Sequence, residues 1–211
     1  MSWADKRLLV LGLILAAAAA VASAYIDLHP SIPQDVTLER DIQAVNWGPL
    51  ALTFPVFSWI GDAKGAVLEA VIFIAILVFN RRTWLVALGC GVTAVWYVLL
   101  NHLVARARPT PSQVLFVHEH PPGSSFPSGH TMFVVTIVTV LMVCFGLRFL
   151  PRWAQVAGWV VGALVVMANG LSRIDVGAHW PSDVLAAVLI AVAWICLYLS
   201  VRRISSSAPG T

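Results

Sequence analysis

Of 211 residues, 59% are hydrophobic and 11% charged, with a mean hydropathy of +0.85, which excludes an ordinary soluble globular domain and points to a bilayer protein. The formal charge is +3 and no dense Lys/Arg run exists to track a nucleic-acid backbone, so nucleic acid is not an expected partner. Cys90, Cys144 and Cys196 are odd in number, lie in apolar stretches and lack metal-ligand spacing; they are expected to act as small core hydrophobes.

In chain order, the apolar stretches predict an all-α bundle of six transmembrane helices, at about 8–26, 63–80, 83–105, 130–150, 154–171 and 183–201. The links are too short for separate soluble domains, so residues 1–211 form a single integral membrane domain. Lys6-Arg7, an alanine-rich run and Val21-Ala22-Ser23-Ala24 also resemble a cleavable signal peptide. Retention is the expectation, because it leaves a consistent charge pattern in the loops. Lys6, Arg7, Arg81, Arg82, Arg148, Arg152, Arg202 and Arg203 then gather on the cytoplasmic side with both termini. Arg40, Lys64, Arg106, Arg108 and Arg173 fall outside, with most of the acidic residues.

Between the first two spans, about 35–60 is predicted to be interfacial. Leu38, Ile42 and Val45 recur at helical spacing among Glu39, Arg40, Asp41 and Gln43, the pattern of an amphipathic helix. Phe54 to Ile60 is apolar but short and interrupted, suited to the interface or a partial dip. The segment either admits lipid or straps the bundle. The tail from Ser205 to Thr211 has disordered composition.

Three polar clusters interrupt the apolar pattern, and the predicted topology brings all three to the extracytoplasmic face. Asn101 through Arg108-Pro109 closes the third helix. Ser128-Gly129-His130 opens the fourth, where unpaired N–H groups and the helix dipole favour an anion such as phosphate. Gly129 permits close backbone approach, Ser128 adds a hydroxyl donor, and His130 places a proton-transfer group beside the oxyanion. An ordinary helix cap is the alternative. In the third cluster His179 and Asp183 are four apart, so a helix starting near Pro181 sets the carboxylate beside the imidazole. Asp183 can then orient one ring nitrogen and leave the other to attack. Arg108 and Arg173 supply guanidinium forks for phosphoryl oxygens, or act as snorkelling interfacial anchors.

Arg108-Pro109, Pro127-Ser128-Gly129-His130, and Ser172-Arg173 with His179 and Asp183 resemble the three signature motifs of the type-2 phosphatidic acid phosphatase superfamily. The resemblance implies that His179 attacks phosphorus to form a phosphohistidine, Asp183 orients it, and His130 protonates the leaving oxygen and later activates water. It implies that Arg108, Ser128, Gly129 and Arg173 bind phosphate, without cofactor or metal. One position departs: the first motif normally begins with lysine seven residues before the arginine, and here that residue is Asn101. It shares a helical face with Arg108 but carries no charge. Losing that cation is expected to cost ~2 to 4 kcal/mol of transition-state stabilisation unless replaced. Arg106 is near enough to compensate only if the helix has already ended.

His118-Glu119-His120 has too few further ligands for a metal and suits an outer loop that recognises a head group or covers the site. Glu69 is an intramembrane carboxylate available to substrate or to an ion pair, and Asp175 either pairs with Arg173 or caps the loop. The expected activity is removal of phosphate from a membrane lipid phosphate or diphosphate, such as undecaprenyl or another polyprenyl diphosphate, phosphatidylglycerol phosphate or phosphatidate. The expected location is the inner or plasma membrane, with an extracytoplasmic site. The alternatives are a lipid-phosphate binding or transport protein weakened in catalysis, and a channel unrelated to phosphate. Oligomeric state leaves no mark on the sequence.

Overall fold

The structure, a computed structural model, describes residues 3–61 and 63–201. Arg202, Arg203 and the 205–211 tail lie outside the described residues, as does the side chain of Lys64. The described residues are helical, without strands.

Helix α1 (Trp3–Leu28) runs along α10 (Pro181–Leu199). After α2 (Pro33–Gln43) and a 3-10 turn, α3 (Phe54–Gly61) precedes α4 (Ala63–Phe79). A short 3-10 turn leads to α5 (Trp84–Gly91) and α6 (Thr93–Leu103), which together make one apolar rod, Arg81–Leu103. Helix α7 (Gly129–Leu141) continues through a π turn into α8 (Leu147–Phe149), followed by α9 (Arg152–Asp175) and α10. Five of these rods are long and apolar enough to cross a membrane. The sixth expected span coincides with α4, which is only 17 residues long.

Helices α7 and α10 form the centre. Met132, Val135, Val140 and Cys144 meet Ala186, Ala187, Ile190 and Ile195 in the main apolar cluster, joined by Ile76, Val86 and Cys90. The outer helices α1 and α9 instead expose Leu13, Ile14, Val21, Val156, Val160 and Leu164, side chains that lipid solvates as well as protein does. The π turn has a local cause. Asn80 donates from Nδ2 to the Cys144 carbonyl (2.6 Å) and accepts from Arg148 (2.6 Å), drawing that carbonyl out of the helical ladder.

This end of the bundle carries Arg81, Arg82, Arg148 and Arg152, together with the first residues of α1 and the last of α10. The opposite end gathers the C-termini of α6 and α9, the N-termini of α7 and α10, and α2.

Helix α2 turns its polar stripe inward. Asp35, Glu39 and Gln43, four apart, are buried, while Leu38 and Val45 are about half exposed. Gln43 donates to the carbonyls of Phe116 (2.9 Å) and Asp175 (3.1 Å) and accepts from Leu115 N (2.9 Å). Its apolar edge therefore faces outward and its polar edge straps the bundle.

Candidate active site

The 176–180 turn joining α9 to α10 carries His179. Ala178 N and His179 N donate back to the Arg173 carbonyl at 3.1 and 3.3 Å. Gly177 has φ +73°, and a Cβ there would lie 2.8 Å from the Phe116 carbonyl oxygen. Only glycine allows both the turn and this close approach. His179 is buried, and its Nδ1 lies 2.6 Å from the Ser125 carbonyl oxygen. A carbonyl only accepts, so Nδ1 carries the proton and Nε2 keeps its lone pair. Nε2 lies 3.4 Å from Arg108 Nη1. Burial, then the Arg108 charge, hold the imidazole well below its usual pKa of 6.5, so it is neutral at pH 7.

Asp183 was expected beside this imidazole, and its carboxylate turns elsewhere. Oδ2 accepts from Trp180 N (3.0 Å), closing the first turn of α10, and Oδ1 accepts from Arg106 Nη1 (2.6 Å). The helix has indeed ended before Arg106, but this residue does not replace the missing lysine. Its side chain is buried, donating to Asp35 (2.6 Å), Ser182 Oγ (2.7 Å) and the Pro30 carbonyl (3.1 Å), with the guanidinium 5.8 Å from the Trp180 ring centre. Asp35 also accepts from Ser182 N (2.9 Å), so a carboxylate from α2 caps α10. One buried arginine thus locks two carboxylates and the chain leaving α1 beneath the His179 turn.

Asn101, too, is committed to backbone carbonyls. Its Nδ2 donates to the carbonyls of Ser124 (2.9 Å) and Phe126 (3.1 Å), flanking the Ser125 carbonyl that holds His179. Arg108 reaches across the same loop, to Ser124 O (2.8 Å) and Ala178 O (2.6 Å), while its Nε is buried without a hydrogen-bond partner. Burial pulls its guanidinium below the usual pKa.

Ser128 precedes α7 without a side-chain capping bond, so the ordinary cap is absent; its hydroxyl accepts from Thr131 (3.0 Å). Gly129 lets α7 approach α6, since a Cβ there would lie 2.9 Å from the Tyr97 ring. His179, Arg108, His130, Gly129, Tyr97 and Glu69 line one cavity of about 420 Å³. Glu69 also borders an apolar cavity of about 500 Å³ between α4, α5 and α7. A larger groove of about 770 Å³ opens between α7, α9 and α10, but it is apolar and contains none of the histidines or arginines above.

Arg173 does not line the His179 cavity. It is buried and donates to Glu119 Oε2 (3.0 Å), Ser58 Oγ (2.6 Å) and Ser172 Oγ (3.2 Å). Asp175 accepts from Trp47 Nε1 (3.2 Å), and the His118 ring stacks on Phe116. The structure thus brings His179, Arg108, His130 and Gly129 to one cavity and does not bring Asp183, Asn101 or Arg173 to its lining. Sequence reading missed Ser125, Tyr97, Asp35 and Ser58. Of these only Asp35 left a signal, the buried spacing it shares with Glu39 and Gln43.

The family model of the PAP2 superfamily matches residues 82–206, more than half of the chain. Undecaprenyl-diphosphatase of Sulfolobus acidocaldarius is 31% identical over 144 residues, covering 64% of this chain and 63% of the relative. Phosphatidylglycerophosphatase B of Haemophilus influenzae is 37% identical over 39% of this chain and 34% of its own. Decaprenylphosphoryl-5-phosphoribose phosphatase of Mycobacterium tuberculosis is 33% identical over 53% and 56%. The matches thus span between about a third and just under two thirds of these relatives' lengths. Among solved structures, a transmembrane PAP2-type phosphatidylglycerolphosphate phosphatase from Bacillus subtilis superposes with TM-score 0.63 at 21% identity, covering 94% of each chain. Aquifex aeolicus LpxE gives 0.58 at 25%, covering 79% of this chain and 93% of its own. With the family match running from the start of α5 through the His179 turn, the chain belongs to the PAP2 superfamily.

Proposed function

We propose that this chain is a membrane-integrated, metal-independent phosphatase that hydrolyses a lipid phosphate or diphosphate through a phosphohistidine on His179. The observation that carries this is the Nδ1 contact with Ser125, which leaves the Nε2 lone pair beside Arg108. Nε2 attacks phosphorus while the proton stays on Nδ1, donated in a hydrogen bond to the Ser125 carbonyl, so the phosphorylated ring is cationic and a good leaving group. Arg108 and the leading N–H groups of α7 hold the peripheral oxygens. His130 donates its proton to the departing lipid oxygen, then takes one from the water that cleaves the phosphoenzyme. Asp183 acts as a positioning residue through Trp180 and Arg106.

The names of the relatives support a phosphorylated lipid with a prenyl or glycerol anchor. The apolar cavity that meets the polar one at Glu69 would take the first part of the chain. Six spans, with α4 as the short one, both termini cytoplasmic and the site extracytoplasmic, are supported by Arg81, Arg82, Arg148 and Arg152 at the far end.

The test is phosphate release by detergent-purified protein, with chelator present, across lipid phosphates and diphosphates. Release that His179→Ala abolishes supports the reading and names the substrate. No release from wild type, with activity appearing only in Asn101→Lys, would make the chain a binding protein instead.

A further inference from the structure

Arg173 lies behind the lining of the His179 cavity, near enough for its charge to act on the imidazole, and its fork is already engaged. Nη1 donates to Glu119 Oε2 at 3.0 Å and Nη2 to Ser58 Oγ at 2.6 Å, while Ser58 Oγ donates to Glu119 Oε1 at 2.5 Å. A carboxylate gripped by a guanidinium and a hydroxyl reproduces the contacts of a bound phosphoryl group. The Arg173 side chain has no exposure, whereas that of Glu119 is 31% exposed, so Glu119 is the partner that can leave. Its loop is anchored at Val176, where His118 N and Glu119 N both donate to the carbonyl, three residues before His179. A few residues on, Pro121 and Pro122 border the His179 cavity. The carboxylate therefore belongs to the same loop that lines the His179 cavity.

We propose that Glu119 is a specificity-determining residue, an internal anion that the substrate phosphate must displace from Arg173. The proposal rests on the phosphatase reading of the cavity. A carboxylate carries one negative charge, and so does the phosphodiester of an ordinary membrane phospholipid. Exchanging one for the other gains little Coulomb energy. A terminal phosphate carries roughly −1.5 to −2 at pH 7 and offers three acceptor oxygens, so it displaces the carboxylate. Ser58 then remains as a donor to the incoming oxygen. The abundant diester lipids of the bilayer are refused at Arg173, and rare lipids ending in a phosphate or diphosphate are admitted.

Two measurements on the detergent-solubilised full chain test this. The first is the Kd for inorganic phosphate by titration calorimetry. The second is inhibition of phosphate release by phosphatidylglycerol, a phosphodiester lipid, in the same micelles. Glu119→Gln keeps the size of the side chain and removes its charge; Glu119→Ala serves if the first variant fails to fold. Removing the internal competitor is expected to tighten phosphate binding about tenfold, by raising the fraction of protein with Arg173 open, and to strengthen diester inhibition by a similar factor. Unchanged or weaker phosphate binding in the variants, or unchanged diester inhibition, overturns the proposal and makes Glu119 a brace for Arg173. Wild type and variants that all fail to bind phosphate would overturn the phosphate site itself along with it.

Discussion

The Nδ1 atom of His179 lies 2.6 Å from the carbonyl oxygen of Ser125, so a backbone acceptor, not a carboxylate, sets the tautomer of the candidate nucleophile. A neutral acceptor does not raise the basicity of the ring as a carboxylate would. With burial and Arg108 acting in the same direction, His179 stays neutral well below pH 6.5.

The acid side of the rate profile follows from this. Attack requires neutral His179, so activity persists as pH falls through 6.5 and is lost only when the imidazole protonates at its depressed pKa. Arg108→Gln removes a nearby cation and lets that pKa rise, which moves the acid limb of kcat/KM to higher pH. The rate itself should fall by about 10²-fold or more, as on loss of one preorganised donor. A limb that stays in place or moves to lower pH would show that Arg108 does not tune this histidine.

Asp183 gives a second, sharper contrast. If it oriented the imidazole as in a triad, Asp183→Asn would cost about 10⁴ in kcat. Its bonds run instead to Trp180 N and Arg106, so the loss expected is that of a slightly misplaced turn, about 10²-fold or less. Kinetics of Asp183→Asn beside His179→Ala separate the two. Thermal unfolding adds an independent check on the buried cluster: Arg106→Leu strands the Asp35 and Asp183 carboxylates and should cost about 3–5 kcal/mol. Replacing Arg106 and Asp35 together by leucine should be less damaging than the sum of the single changes.

The close passage of two loops predicts a third effect. Gly177→Ala forces a Cβ to within 2.8 Å of the Phe116 carbonyl at a φ of +73°. The strain should be about 1–3 kcal/mol. Because the same turn carries His179, kcat should fall further than the loss of Tm alone explains. A variant of normal activity and stability would mean that the turn shifts freely.

Much of the bundle and part of the site were legible in the sequence. Hydropathy marked the helices because in lipid a spanning helix must be apolar over its whole length. The short α4 and the polar-side docking of α2 were not legible, since amphipathic spacing fixes two faces without saying which one meets the protein. Leu38 and Val45 face outward because Asp35 and Gln43 have carbonyls, amides and Arg106 to bind beneath them. His179, His130, Gly129 and Arg108 were marked by the polar clusters at the helix ends and by the likeness of those clusters to the superfamily's motifs. The Ser125 carbonyl was invisible, because every residue has one and only the fold aims it. Asn101 shares the Arg108 side of its helix, but no spacing rule foretold that its amide would spend its protons on Ser124 and Phe126.

The buried face of α2 supplies the last prediction. Glu39 is fully buried, neither carboxyl oxygen has a hydrogen-bond partner, and Asp35 and Asp183 lie close enough to oppose its charge. Burial first, then these carboxylates, push its pKa from 4.5 up to about 9, against a smaller opposing effect of Arg106. The folded protein thus keeps the proton through neutral pH while the unfolded chain releases it. The sign is fixed by this: the stability tied to Glu39 is whole below pH 4.5 and is lost as pH rises toward about 9. Glu39→Gln supplies a neutral group of the same shape that has no proton to lose. Its Tm should match wild type near pH 4.5 and exceed it at pH 8, by a margin that widens by up to about 1.4 kcal/mol of stability per pH unit between the two. Unfolding curves at the two pH values decide it. A variant that is less stable than wild type at pH 8 would mean that Glu39 is ionised in the folded protein and shares Arg106 with the other two carboxylates.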